Sequence, residues 1–378
     1  MEVGMSTQNI LHMNSGVGDK SYAHNSFFQK KAIIKAKPIL EESMTRLYYN
    51  ILPKCLKVAD LGCSSGPNTL EVISNIINIV DTTSSNLNLS LPDFQFYLND
   101  LFESDFNTVF KSLPQFYKTL EGKKGNKIGP CFINATPGTF YKRLFPTSSM
   151  HFFHCSYSLH WLSQAPEEFI DADGGEALER DGIYLRSTSP RAMQKAYLRQ
   201  FQRDLKAFLK SRSEELVPGG EMVLTFIGRQ NNTSEIRATW DLLGFALNDM
   251  LSENLIEKET LKSFNIPNYD PSMEEVKEII EEEGSFILHR VETIWMGWHG
   301  NMMNNEEGAN GNKLDENMTG EFIAKYIRAV TEPLLKAHFG QRIMDELFLR
   351  FKDKVAQLLR DIQILEFPNF IVSLIKNA

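Results

Sequence analysis

The chain has 378 residues, 42% of them apolar and 23% charged, the composition of an ordinary globular protein. Wholesale disorder, a collagen-like chain and a repeat architecture are excluded. The formal charge is −8 and the basic residues are dispersed, which excludes the basic footprint of a non-specific nucleic-acid binder.

At roughly 150 residues per domain, this length predicts two domains or one large domain with an insertion. The cysteines, Cys55, Cys63, Cys131 and Cys155, show no Cys-x-x-Cys spacing. Neither a zinc site nor a disulfide framework is expected, and a reducing, cytoplasmic compartment is. Residues 1–30 lack the apolar stretch of a secretory signal, and no run reaches the roughly 18 apolar residues of a membrane helix.

Residues 1–20, rich in Gly, Ser and Asn, read as an irregular arm. Helical spacing then runs from Ser21 to about Asn50, with Ile33, Ile34, Leu40, Met44 and Leu47 on one face and Pro38 as the expected break or kink. Leu56–Leu61 is a short apolar strand ending at Gly62, and helical spacing resumes from Thr69 through Val80. Residues 82–92 read as a loop. Phe94–Leu98, Cys131–Ala135, Met150–Ser156 and Met222–Ile227 read as strands, with a helix over Ala192–Leu216. Strands alternating with helices predict a doubly wound α/β sheet.

The pattern changes after Arg229. Residues 230–283 read as a mostly helical insertion, in which the acidic stretch Met273–Glu283 is a solvated face. A strand returns at Ser285–Thr293. Residues 299–318 have the Asn, Gly and Glu composition of a mobile loop. Glu321 to about Leu359 is helical, and Phe370–Leu374 is a last strand.

The most informative segment is Val58-Ala59-Asp60-Leu61-Gly62-Cys63-Ser64-Ser65-Gly66-Pro67-Asn68. Gly62 allows a sharp turn after the strand, and Pro67 suits a first helical turn. The spacing is neither Gly-x-Gly-x-x-Gly nor a P-loop, which disfavours an NTPase and weakens a dinucleotide reading. Asp60 at one strand end suits a cationic amino-acid group. Asp100 at the next suits ribose hydroxyls, as in nucleotide-binding α/β folds. Those are the two ends of S-adenosylmethionine.

With Met13–Gly18, Ser21–Ala23, Leu98–Leu101, Asp105–Asn107, Pro137–Tyr141, Ser156–Gln164, Phe264–Pro267 and Arg328–Pro333, the whole chain resembles the plant SABATH family of S-adenosylmethionine-dependent methyltransferases. Each segment is weak alone; in this order they are specific. The resemblance implies a Rossmann-like class I methyltransferase sheet under a mostly helical cap. Residues 1–30 would close over the site. Residues 31–229 and 284–378 would form the core, and residues 230–283, with the loop 165–190, would form the cap.

Asp60 and Asn68 would then hold the amino-acid end of the cofactor. Asp100 would take the ribose, with Leu101, Thr139 and Phe140 about the adenine. Ser21 and Tyr22 would close over it, and Asn14 would join them from the arm. Core packing accounts for Phe140 nearly as well.

For the acceptor, the resemblance points to Gln29 and Trp161 as two donors to a substrate carboxylate. His160 is either a polar contact or a packed wall, and not a general base. Tyr157, Trp240, Ile327, Tyr326 and Phe370 map near the pocket, with core packing as the default role of each. An ionised carboxylate needs no base against a sulfonium methyl group; orientation alone can lower such a barrier by roughly 7–11 kcal/mol. Some members carry Mg²⁺ near the Phe264–Pro267 segment, but Lys262 stands where an aspartate would be expected, which argues against a metal.

The leading expectation is a methyl ester of a benzoate-, salicylate- or jasmonate-type acid. The alternative is N-methylation of a xanthine alkaloid, to which His160 and Asn14 lend support. A non-enzymatic binding protein on the same scaffold is disfavoured by intact Asp60, Asn68 and Asp100. No nucleic-acid or membrane partner is expected, and a homodimer is implied by the family alone.

Overall fold

The computed structural model describes residues 11–124, 129–166, 182–185, 189–230, 238–297, 316–361 and 366–377. Ser21 opens the first helix, its hydroxyl accepting the His24 amide at 3.2 Å, and α1 (Tyr22–Asn25) follows. The chain breaks at Ser26 rather than at Pro38. Helix α2 (Phe27–Ile51) runs on through the proline, because Ala36, Ile39 and Leu40 around it are buried in one cluster. Tertiary packing there outweighs one lost backbone hydrogen bond.

Strand β1 (Cys55–Leu61) leads into α3 (Asn68–Asn86). The expected loop at residues 82–92 begins only after Asn86. Thr82 and Thr83 donate their hydroxyls to the carbonyls of Asn78 and Ile79 at 3.0 and 2.8 Å, so these polar residues stay helical. Then come β2 (Asp93–Asp100), α4 (Phe106–Lys124), β3 (Cys131–Pro137), β4 (Met150–Ser156), α5 (Arg191–Glu215) and β5 (Leu216–Ile227).

The insertion carries α6 (Ala238–Ser252), the short α7 (Lys258–Ser263) and α8 (Met273–Glu283). After them come β6 (Phe286–Gly297), α9 (Glu316–Phe339), α10 (Met344–Asp361) and β7 (Glu366–Lys376). Of the loop read at 299–318, residues 299–315 lie outside the described residues, and 316–318 open α9.

The strands form one sheet in the order β3-β2-β1-β4-β5-β7-β6. The first five are parallel, and β7 runs antiparallel between β5 and β6. This is the doubly wound, class I methyltransferase arrangement. One core cluster lies between the sheet and α2 and α3, another between the sheet and α5.

The helices that follow Arg229 divide between two core clusters. Leu243 and Leu247 of α6 pack with Ile323 and Leu335 of α9 and Leu347 and Phe351 of α10. Helix α8 instead places Val276, Ile279 and Ile280 in the core cluster with α5. Among the described residues no helix is long and apolar enough to cross a membrane.

Candidate active site

The strand order reverses between β1 and β4, which leaves a crevice beyond their carboxyl ends. A cavity of about 790 Å³ fills it and extends beneath α6 and α9.

One half is anionic. Gly62 turns the chain at φ +73°, and a Cβ there would lie 2.0 Å from the Ser158 hydroxyl oxygen, so no larger residue fits. The turn delivers the Ser64 amide to Asp100 Oδ2 at 2.7 Å, while the Leu101 amide and the Ser104 hydroxyl donate to Oδ1 at 2.8 and 2.5 Å. Burial still raises the Asp100 pKa against these donors, and Asp60 pushes it the same way. Tyr22 and Cys63 are held up by burial first and then by the same two carboxylates. A cationic ligand suits this end.

Asp100, Leu101, Thr139, Phe140 and Tyr22 line the cavity. Asp60, Asn68, Ser21 and Asn14 do not. Asp60 is not the unpaired carboxylate that its sequence position suggests; His154 Nδ1 meets its Oδ1 at 2.7 Å. Asn68 donates to the Ser26 carbonyl at 3.1 Å and hydrogen-bonds Tyr22, so it holds the arm that closes this end. Ser21 is spent as the cap of α1. Asn14 points away from the cavity: its side-chain amide donates to Glu332 Oε2 at 2.8 Å and to the Lys20 carbonyl at 3.0 Å, which anchors the arm to α9.

The other half is aromatic. Gln29, on the first turn of α2, lines the cavity, and its Oε1 is buried without a hydrogen-bond partner in the chain. Trp161 lines it too. The Trp161 carbonyl accepts from the Tyr141 hydroxyl at 2.6 Å, its backbone bridges Asn268, and its ring meets Trp240 edge-on at 6.1 Å. His160 is buried, perpendicular to the Tyr157 ring at 5.7 Å. Tyr157, at φ +62°, donates its hydroxyl to Asn369 Oδ1. Trp240, Tyr326 and Ile327 complete the wall.

Phe370 is not part of that wall. It lies in the core cluster against Phe226, with its ring on Gly228 of the cavity lining. The sequence also gave no hint of Phe28, which lines the cavity and stacks on Tyr326 at 5.7 Å. Asn268, which directly follows the Phe264–Pro267 segment, carries no such signal in the sequence either; fully buried, it donates to the His160 carbonyl at 3.1 Å and fixes the loop bearing His160 and Trp161. Among the described residues, no three His, Cys, Asp or Glu side chains are grouped to hold a metal ion.

The family model described as SAM dependent carboxyl methyltransferase matches residues 8–377. The chain belongs to that family. It is 44% identical to a protein of Theobroma cacao named probable jasmonic acid carboxyl methyltransferase 2, over 99% of this chain and all of the relative. It is 45% identical to a probable caffeine synthase of Coffea canephora over 94% of both chains. Among solved structures it matches a loganic acid methyltransferase with S-adenosylhomocysteine at a TM-score of 0.82 and 32% identity, covering 97% of this chain and 99% of the other. This member of the carboxyl methyltransferase family is thus an S-adenosylmethionine-dependent methyltransferase, with its cavity where α/β folds of this order hold their ligand.

Proposed function

We propose that this methyltransferase forms the methyl ester of a small plant acid of the benzoate, salicylate or jasmonate class. One observation carries the reading: Gln29 and Trp161 lie on the wall of a single cavity with Asp100 and Phe140. A side-chain amide and an indole N–H can both donate to a carboxylate.

The residues present fit S-adenosylmethionine. Asp100 would hold the ribose, Leu101, Thr139 and Phe140 would lie about the adenine, and Asp60 would take the ammonium, with Asn68 and Tyr22 closing that end. S-adenosylmethionine supplies a methyl group on a sulfonium, already activated by its charge. The protein's work is to orient the acceptor and exclude water. Gln29 and Trp161 hold the carboxylate; Phe28, Trp240 and Ile327 wall the rest of the acid. The acid is ionised near neutral pH, so His160 need take no proton. Donors that gripped the ground-state carboxylate too tightly would slow the reaction, because its charge is lost in the transition state.

N-methylation of a xanthine is the second reading. It is favoured by the buried His160 ring on the cavity wall and by the 45% identity to the caffeine-synthase relative, against 44% to the jasmonate one. The deciding experiment is transfer of labelled methyl from S-adenosylmethionine to benzoate, salicylate, jasmonate, indole-3-acetate, xanthosine and methylxanthines, with products identified by mass. Methyl esters support the carboxylate clamp; N-methylxanthines without esters overturn it. By likeness to the family we take the protein to act as a homodimer in the cytoplasm, which sedimentation and cell fractionation would check.

A further inference from the structure

Asp60 of β1 and His154 of β4 are register partners on adjacent parallel strands, so their side chains emerge on the same face of the sheet. Both are buried, at 8% and 2% exposure, and Nδ1 lies 2.7 Å from Oδ1. An ionised carboxylate can only accept, so the imidazole nitrogen at that distance carries the proton and donates. Among the described residues no other side chain is within hydrogen-bond or ion-pair reach of Asp60, and nothing donates to its Oδ2. One carboxylate oxygen is held and the other has no donor among the described residues, two residues before Gly62 of the cavity lining.

The partner's chemistry matters as much as its position. A lysine or arginine at position 154 would cancel the charge of Asp60. The imidazole Nδ1–H fixes one carboxylate oxygen and leaves the other uncovered. A purely structural need to satisfy a buried histidine would be met by many acceptors. It would not require a carboxylate next to the second buried acid, Asp100.

We propose that His154 is a positioning residue for the cofactor, holding Asp60 by one oxygen so that the other receives the ammonium of the amino-acid end. The proposal rests on the assignment of Asp60 made above, and the test separates the two. Two probes are used on the full chain by calorimetry: S-adenosylhomocysteine, and 5′-methylthioadenosine, which keeps the adenosine and the thioether but lacks the amino-acid end.

Because a hydrogen bond to a charged group is at stake, His154→Leu is expected to weaken S-adenosylhomocysteine binding by about tenfold or more and 5′-methylthioadenosine binding by less than about twofold. His154→Asn places an amide N–H near Nδ1 and is expected to restore most of the loss. Asp60→Asn is expected to reproduce the selective loss. Equal loss of both probes in His154→Leu would show a structural role and overturn the proposal. So would unchanged binding of both, or failure of His154→Asn to rescue. Loss in Asp60→Asn with none in His154→Leu overturns the role of His154 alone. No selective loss in Asp60→Asn overturns the Asp60 assignment, and the proposal with it.

Discussion

Arg212 Nε donates to Glu215 Oε2 at 2.7 Å, and neither side chain of this pair is exposed. Every remaining group of the pair serves one loop. Arg212 donates to the carbonyls of Phe140 and Lys142 at 2.7 and 2.9 Å, and Glu215 Oε1 accepts the Leu144 and Phe145 amides at 2.5 and 3.0 Å. The end of α5 therefore clamps the loop that carries Phe140 to the cavity. Arg212→Met leaves buried Glu215 with only Arg143, 3.8 Å away, as a cation, and is expected to destabilise the fold by about 3–5 kcal/mol. It should also weaken S-adenosylhomocysteine binding, because Phe140 is no longer held. Urea unfolding and calorimetry on the same variant check both. A variant as stable as the parent chain would show that the pair contributes little.

Gln29 separates acceptor binding from cofactor binding. It lines the cavity and takes no part in the hydrogen bonds that hold Asp100. Gln29→Ala removes a donor to a charged group, so kcat/KM for the acid should fall by about one to two orders of magnitude. Affinity for S-adenosylhomocysteine should stay nearly the same. Equal loss of both would mean that Gln29 shapes the helix rather than the acceptor.

Phe370 provides the opposite test. Its ring closes on the backbone of Gly228, where a Cβ would lie 2.0 Å from a ring carbon. Phe370→Ala should therefore cost about 3–5 kcal/mol of stability through the cavity it opens. The ranking of acids as substrates should not change. A change in that ranking at unchanged stability would return Phe370 to the acceptor wall.

The parallel strands were legible because sheets covered on both faces read as apolar runs, as Leu56–Leu61 and Met150–Ser156 do. The strand-end acids were legible because a doubly wound sheet places its ligand there. Other features depend on distant partners. Asp60 looks unpaired until the fold brings up His154, 94 residues away. Pro38, Thr82 and Thr83 carry loop-like local chemistry that packing and helical back-bonding override. Trp240 and Phe370 are equally apolar in the sequence, and only the fold puts one on the cavity and the other in the core cluster against Phe226. Helices α6 and α8 both follow Arg229, yet one packs with α9 and α10 and the other with α5.

His151 makes the stability of the sheet depend on pH. Its Nδ1 accepts the Lys57 backbone amide at 3.0 Å, across from β4 to β1, and only the neutral ring has the lone pair to do so. Burial first, then the Lys57 charge, lowers its pKa from 6.5 to about 4. Between those values the unfolded chain binds the proton and the folded chain does not. The contribution is therefore complete above pH 6.5 and is lost as the pH falls toward 4. Because the ring is partly exposed, solvent screening reduces the full value to about 1–2 kcal/mol. His151→Asn keeps an acceptor for the Lys57 amide but cannot titrate. Urea unfolding at pH 7 and pH 5 should show the parent chain losing about 1 kcal/mol more than the variant over that interval. Parallel losses in the two proteins would mean that the ring's burial costs nothing on protonation, and that acid sensitivity in this range arises from the carboxylates instead.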